Sequence, residues 1–263
     1  MTRKDGLLAL LVVVVWGLNF VVIKVGLHNM PPLMLAGLRF VLVAFPALLF
    51  VARPKVPLRL LLGYGLTISF GQFAFLFSAI KFGMPTGLAS LVLQAQAFFT
   101  ILLGAATFGE RLQLKQVLGI TLAVFGVLVL AESSLNGQNV TVLGFMLTLA
   151  AAFCWACGNI FNKKIMQHSS RPAVMSLVVW SALIPVVPFL VASLIFDGPA
   201  LMVQSLVQID ITTVLVPVVG MASAALLLDE TLNGLQLLGA ALIMAGLYIN
   251  IFGFRLRPSV AAR

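Results

Sequence analysis

Two tryptophan–asparagine pairs are the residues best suited to holding a small polar solute. Trp16 and Asn19 stand three apart in one apolar run, and Trp155 and Asn159 four apart in another. Those spacings put each indole and amide on one helical face. An indole wall beside an amide suits a small zwitterion; the bland alternative is core filling plus an interhelical amide bond. Arg39 lies deep in a further apolar run, where a charge is costly unless it is paired or meets a ligand. Its guanidinium would take a carboxylate, and the alternative is snorkelling to the membrane surface on its long stem. Gln72, Gln94 and Gln96 add uncharged donors and acceptors. Gln94 and Gln96 sit about 200° apart on a helix, so only one of them can face a given cavity. Phe70, Phe73, Phe77, Phe98 and Phe99 supply apolar wall or plain core.

What is absent narrows the chemistry. Asp5, Glu110, Glu132, Asp197, Asp210, Asp229 and Glu230 all fall at or near the ends of apolar runs, so a mid-membrane Asp/Glu proton relay has no candidate. His28 and His168 fall in loops. Without a His-Glu-x-x-His, a paired Asp or a Ser with a His base, an embedded enzyme is disfavoured. No catalytic residue, metal ligand or cofactor is therefore expected. Cys154 and Cys157 form a Cys-x-x-Cys, but inside a long apolar helix an i,i+3 disulfide would distort the backbone. Small packing residues are the expected role.

The elements that must position these groups are membrane spans. The chain is 62% hydrophobic and 9% charged, which excludes a soluble globular domain. Sixteen Lys and Arg against seven Asp and Glu might suggest nucleic acid as a partner. The basic residues sit mainly at the ends of apolar runs, however, as in cytoplasmic membrane loops, so the bilayer is the expected partner and nucleic acid is not. Nine apolar stretches can be counted, at 6–25, 33–52, 60–80, 87–108, 114–131, 141–161, 173–196, 214–228 and 235–254. The first is read as a retained span, being too long for a signal-peptide core and lacking a small-x-small cleavage site. The interval 197–213 is too polar to span; an interfacial piece around 201–209 is expected there.

The chain also repeats itself. Asn19, Lys24 and Pro32 return as Asn159, Lys164 and Pro172 at an offset of 140, whereas Glu110, Gln116, Gly119 and Gly126 return as Glu230, Gln236, Gly239 and Gly246 at an offset of 120. The second copy is thus 20 residues short, about one span. Charge parity agrees. With a cytoplasmic N-terminus, the loops carrying Arg53, Lys55 and Arg59, Arg111 and Lys115, and Lys163, Lys164 and Arg171 all fall inside, but nine spans would leave Arg255 and Arg257 outside. The expected fold is an all-α membrane bundle of two five-span repeats, inverted relative to each other, at 1–135 and 136–263. The second is one span short, giving nine where ten would complete the symmetry.

The run Leu7–Lys24, centred on Trp16-Gly-Leu-Asn19, and the run Gly158–Ile165 resemble the EamA branch of the drug/metabolite transporter superfamily, in its ten-helix form. The resemblance covers nearly the whole chain and departs at Thr213–Val214, where an eighth span would lie. It implies a secondary transporter of the bacterial inner membrane exporting small amino-acid-like metabolites of the cysteine and O-acetylserine class, or a transport-inactive remnant of one. Trp16, Asn19, Arg39, Gln72, Gln94, Trp155 and Asn159 are the candidate substrate-binding residues. The unmodified chain is expected to export weakly or not at all, and insertion of a span of about 20 residues after Thr213 to recover efflux from whole cells. Full export by the unmodified chain would overturn the missing-span reading.

Overall fold

In the computed structural model, the residues described are 19–20, 23–28, 30–136, 140–167 and 174–207, with single positions at 238, 242 and 245. They form helices: α1 Pro32–Leu48, α2 Leu58–Lys81, α3 Thr86–Phe108, α4 Leu114–Asn136, α5 Val142–Met166, α6 Val174–Phe196 and α7 Pro199–Val207. In hydrocarbon each backbone N–H and C=O must be satisfied within its own segment, which for runs this apolar leaves the helix as the solution. Prolines set the starts, with Pro31–Pro32 ahead of α1, Pro57 ahead of α2 and Pro85 ahead of α3. Thr141 caps α5, its Oγ1 accepting from the Gly144 N–H at 3.0 Å. Gly109 ends α3 in the left-handed region, at φ 65°.

Helices α2 to α6 are long and apolar enough to cross a membrane, and α1 is a shorter apolar helix. The apolar runs at 33–52, 60–80, 87–108, 114–131, 141–161 and 173–196 each coincide with one of these six. Residues 23–28, at the end of the first run, are helical. Trp16 and nearly all of the runs at 214–228 and 235–254 lie outside the described residues, as do His168, Arg171 and Arg255. Helix α7 has nine residues, about 14 Å of rise against about 30 Å of hydrocarbon.

Helix α2 is not uniform. Residues Gly65–Gly71 form a π-helical segment between two α-helical stretches. Thr67 Oγ1 donates to the Gly63 carbonyl at 2.7 Å within this widened turn. Helix α3 tightens instead: the Gln94 N–H donates to Leu91 O at 3.1 Å, and the Ala97 N–H to Gln94 O at 3.0 Å. Both irregularities face α5.

Helix α5 is the hub, packing along α2 and α3 for most of its length. Its buried positions include Gly144, Thr148, Ala151, Ala152, Ala156 and Gly158, a face of small residues that lets neighbouring backbones approach. Cys154 belongs to this packing, its sulfur lying against Gly71, and Cys154 and Cys157 are both free thiols. The larger core is aromatic. Phe189 is fully buried, stacked on Phe40 at 5.9 Å and edge-on to Phe70 at 4.9 Å. Outward-facing Leu42, Phe45, Val124, Phe125, Leu128, Leu194 and Ile195 present an apolar surface suited to lipid.

Cross-contacts define two ends. At one, Lys81 Nζ donates to Leu27 O at 3.1 Å and Thr141 Oγ1 donates to Phe82 O. At the other, Trp180 Nε1 donates to Val51 O at 2.9 Å and Ser176 Oγ to Ala52 O at 2.5 Å. Given the directions of α2, α3 and α5, this second end also collects Arg53, Lys55, Arg59, Arg111, Lys115, Lys163 and Lys164. The basic loops described thus share one side of the bundle.

A methyl group on Gly158 would stand 2.5 Å from Ile68 Cβ and 3.3 Å from its Cα, so relief requires the π segment's backbone to move. Gly158→Ala is expected to cost about 1–3 kcal/mol, read as a lower midpoint in detergent unfolding; an unchanged midpoint would show that this crossing is not tight.

Candidate functional site

A cavity of about 170 Å³ is lined by Asn19, Phe20, Arg39, Gln72, Phe73, Leu76 and Leu93. Three of the seven candidate residues meet there, from three separate segments. Asn19 comes from the first apolar run, Arg39 from the middle of α1, and Gln72 from the position just after the π segment of α2. The π segment adds its extra residue immediately before Gln72, so it decides which way the rest of α2 faces. Gln72 is only 2% exposed. The Arg39 guanidinium carbon lies 5.0 Å from the centroid of the Phe73 ring, which steadies a cation by its negative face. Phe73 in turn sits edge-on to Phe40 and Phe77. Among the described residues no carboxylate pairs with Arg39. The cavity therefore presents one positive fork, two amides and an apolar floor, a donor set matched to a small carboxylate-bearing solute.

Asn159 lies elsewhere. Its Nδ2 donates to Gln96 Oε1 and to Thr100 Oγ1, each at 3.0 Å, and Thr100 Oγ1 donates on to the Gln96 carbonyl at 2.7 Å. These bonds tie α5 to α3. Asn159 lines a second cavity of about 340 Å³ with Thr100, Gly104, Glu110, Arg111, Gln116 and Lys163, among others. Asn19 and Asn159, which the 140-residue offset pairs, thus face different cavities. On α3, Leu93 lines the first cavity and Thr100 the second, two helical turns apart with the tight turn at Gln94 between. Trp155 is half-buried and packs against the main core, and Gln94 is half-buried at that turn.

The sequence reading passed over Gln96 in favour of Gln94, yet Gln96 is the residue that meets Asn159. Its spacing of four from Thr100 was the available signal. Lys163, in the last turn of α5, meets Glu110 in the loop after α3, a contact between residues 53 apart. Lys163 Nζ lies 4.4 Å from the Phe108 ring centroid as well.

Comparison with known proteins agrees with this architecture. The EamA-like transporter family matches residues 5–131. A probable amino-acid metabolite efflux pump of Escherichia coli (strain K12) is 72% identical over 295 aligned positions, covering 99% of each chain. The protein of the same description from Salmonella typhimurium (strain LT2) is 69% identical, with 98% of each chain covered. The chain belongs to the EamA-like transporter family. It is an all-helical integral membrane protein. A more distant transporter of Bacillus subtilis (strain 168), described as uncharacterized, is 25% identical over 94% of this chain and 96% of its own. One solved crystal structure, at 18% identity, shares the fold with a TM-score of 0.60 over 94% of this chain and 96% of its own. The Escherichia coli alignment is longer than this EamA-like chain's 263 residues, so that relative carries internal residues that this one lacks.

Asn159→Ala removes two interhelical hydrogen bonds and is expected to lower stability by about 1 kcal/mol, measured by SDS titration of the purified protein. Gln94→Ala, which breaks no side-chain bond to another described helix, should leave the midpoint unchanged. Equal effects of the two substitutions would contradict the assignment.

Proposed function

We propose that this chain is an inner-membrane exporter of small amino-acid-like metabolites, of the cysteine and O-acetylserine class, in which Arg39 receives the substrate carboxylate. The observation that carries the reading is the convergence of Arg39, Asn19 and Gln72 on one cavity. A guanidinium offers a carboxylate two parallel hydrogen bonds, and Asn19 and Gln72 supply acceptors for an ammonium or hydroxyl. Leu76, Leu93 and Phe20 leave the side-chain end of the solute in apolar surroundings. The names of the two enterobacterial relatives support the substrate class. The clustering of basic residues at one end supports a cytoplasmic placement of that end, and with it a cytoplasmic N-terminus. Trp16, Gln94, Trp155 and Asn159 complete the candidate set, the last through the α3–α5 contact.

A second reading is a transport-impaired form of the same exporter. It is supported by the repeat offset, which is 20 residues short in the second half, and by an alignment longer than the chain. The two readings concern one site and differ in whether the bundle around it closes.

Arg39→Gln, in the chain with a span restored after Thr213, is expected to lower efflux of labelled O-acetylserine at least tenfold, a single charged hydrogen-bond pair being worth about 1.5–3 kcal/mol. Arg39→Lys, a point charge without the fork, should retain part of it. Membrane fractionation should find both variants inserted normally. Efflux by Arg39→Gln equal to that of the parent would remove Arg39 from the site.

A further inference from the structure

The second cavity has a chemistry that the transport reading does not use. At its mouth the acid Glu110 and the base Lys163 are held together, and Arg111 lies beside them. Gln116 and Asn159 add amides from α4 and α5, and Thr100 a hydroxyl from α3. Both charged side chains remain accessible, Lys163 at 41% and Glu110 at 54%. An accessible ion pair contributes little to holding a fold together, on the order of 0–1 kcal/mol. A pair that costs little to open, at the edge of a cavity with amides behind it, is well placed to exchange partners with a solute carrying both charges.

We infer that this cavity is a second amino-acid site, a loading site at the basic end of the bundle. A zwitterionic solute inserts between Glu110 and Lys163, its ammonium pairing with the Glu110 carboxylate and its carboxylate with the Lys163 ammonium. One ion pair becomes two, net charge is conserved, and the Arg111 guanidinium is within the same lining to share the carboxylate. A solute with only one charge would strand the other partner, so the site discriminates for zwitterions over simple acids or amines. Thr100 and Asn159 form the inner wall, and their bonds to each other and to Gln96 separate this site from the cavity of Arg39. The inference rests on the reading of the chain as an amino-acid exporter and adds a site at which the solute is first taken up.

Equilibrium binding of radiolabelled L-cysteine, under reducing conditions, to the purified full chain carrying Arg39→Gln isolates this site from the first cavity. In that background, Glu110→Gln and Lys163→Gln are each expected to weaken binding at least tenfold. The exchanged pair E110K/K163E should bind within about threefold of the parent, because a reversed pair accepts a reversed zwitterion. Acetate and ethylammonium, each with one charge, should compete at least tenfold more weakly than L-serine. Unchanged affinity in both neutral variants, or no binding in the Arg39→Gln background, would overturn the loading site. Either result leaves the exporter reading standing, since that is tested separately by efflux from the Arg39 variants. Loss of binding in the neutral variants without recovery in the exchanged pair would also overturn it, indicating a fixed structural contact.

Discussion

The structure depends on how closely backbones can approach along one helix. Between helices in a bilayer the hydrophobic effect supplies little, since lipid tails are as apolar as leucine; packing contact and interhelical hydrogen bonds decide association. Helix α5 meets that constraint with Gly144, Ala151, Ala152, Ala156 and Gly158 on its buried side. Because these side chains are small, α2 and α3 lie against it at short range. The π segment of α2 then fits over Gly158, and Gln96 and Thr100 of α3 reach Asn159. Larger residues on that face would push both neighbours outward and pull the polar groups of the two cavities apart.

Charge is distributed under the same economy. Arg39 is placed where its stem packs within the bundle and its head lies over an aromatic face, one of the few ways to steady a guanidinium in apolar surroundings when no carboxylate among the described residues meets it. Glu110 and Lys163 follow a different rule: near the surface both are already paired, at little net gain. The deep cation has no described acid, and the shallow pair is exposed to solvent.

The relation between the two halves bears on how the bundle closes. Among the described residues, helix α5, which the sequence offsets would make the first span of a second repeat, packs mainly on α2 and α3. Helices α1 to α6 contact one another through this packing. The described helices therefore form a coherent core with both cavities present, while the chain differs from its enterobacterial relatives by an internal stretch. Loss of a span in the later part of the chain would bear on access and on closure, with the two linings described here intact.

Much of the fold is legible in the sequence. Apolar run length is enough to mark α1 to α6, because hydrocarbon permits few backbone solutions and proline and glycine punctuate the runs at Pro31, Pro57, Pro85 and Gly109. Arg39, Asn19 and Gln72 were also legible as candidates, since a polar side chain in such a run must be buried against something polar or meet a ligand. Which of them share a cavity was not. That depends on helix rotation, and two local departures from α geometry reset it: the π segment before Gln72 and the tight turn at Gln94, neither of which a 3.6-residue periodicity anticipates. The assignment of Asn159 to Gln96 and Thr100, apart from Asn19, follows from those rotations. The meeting of Glu110 with Lys163 came from tertiary structure as well, because a loop acid and a helix-end base 53 residues apart carry no periodic signal. The sequence by itself determined the membrane helices and the polar groups they must carry; the packing of α2 and α3 on α5 decided which of those groups face one another.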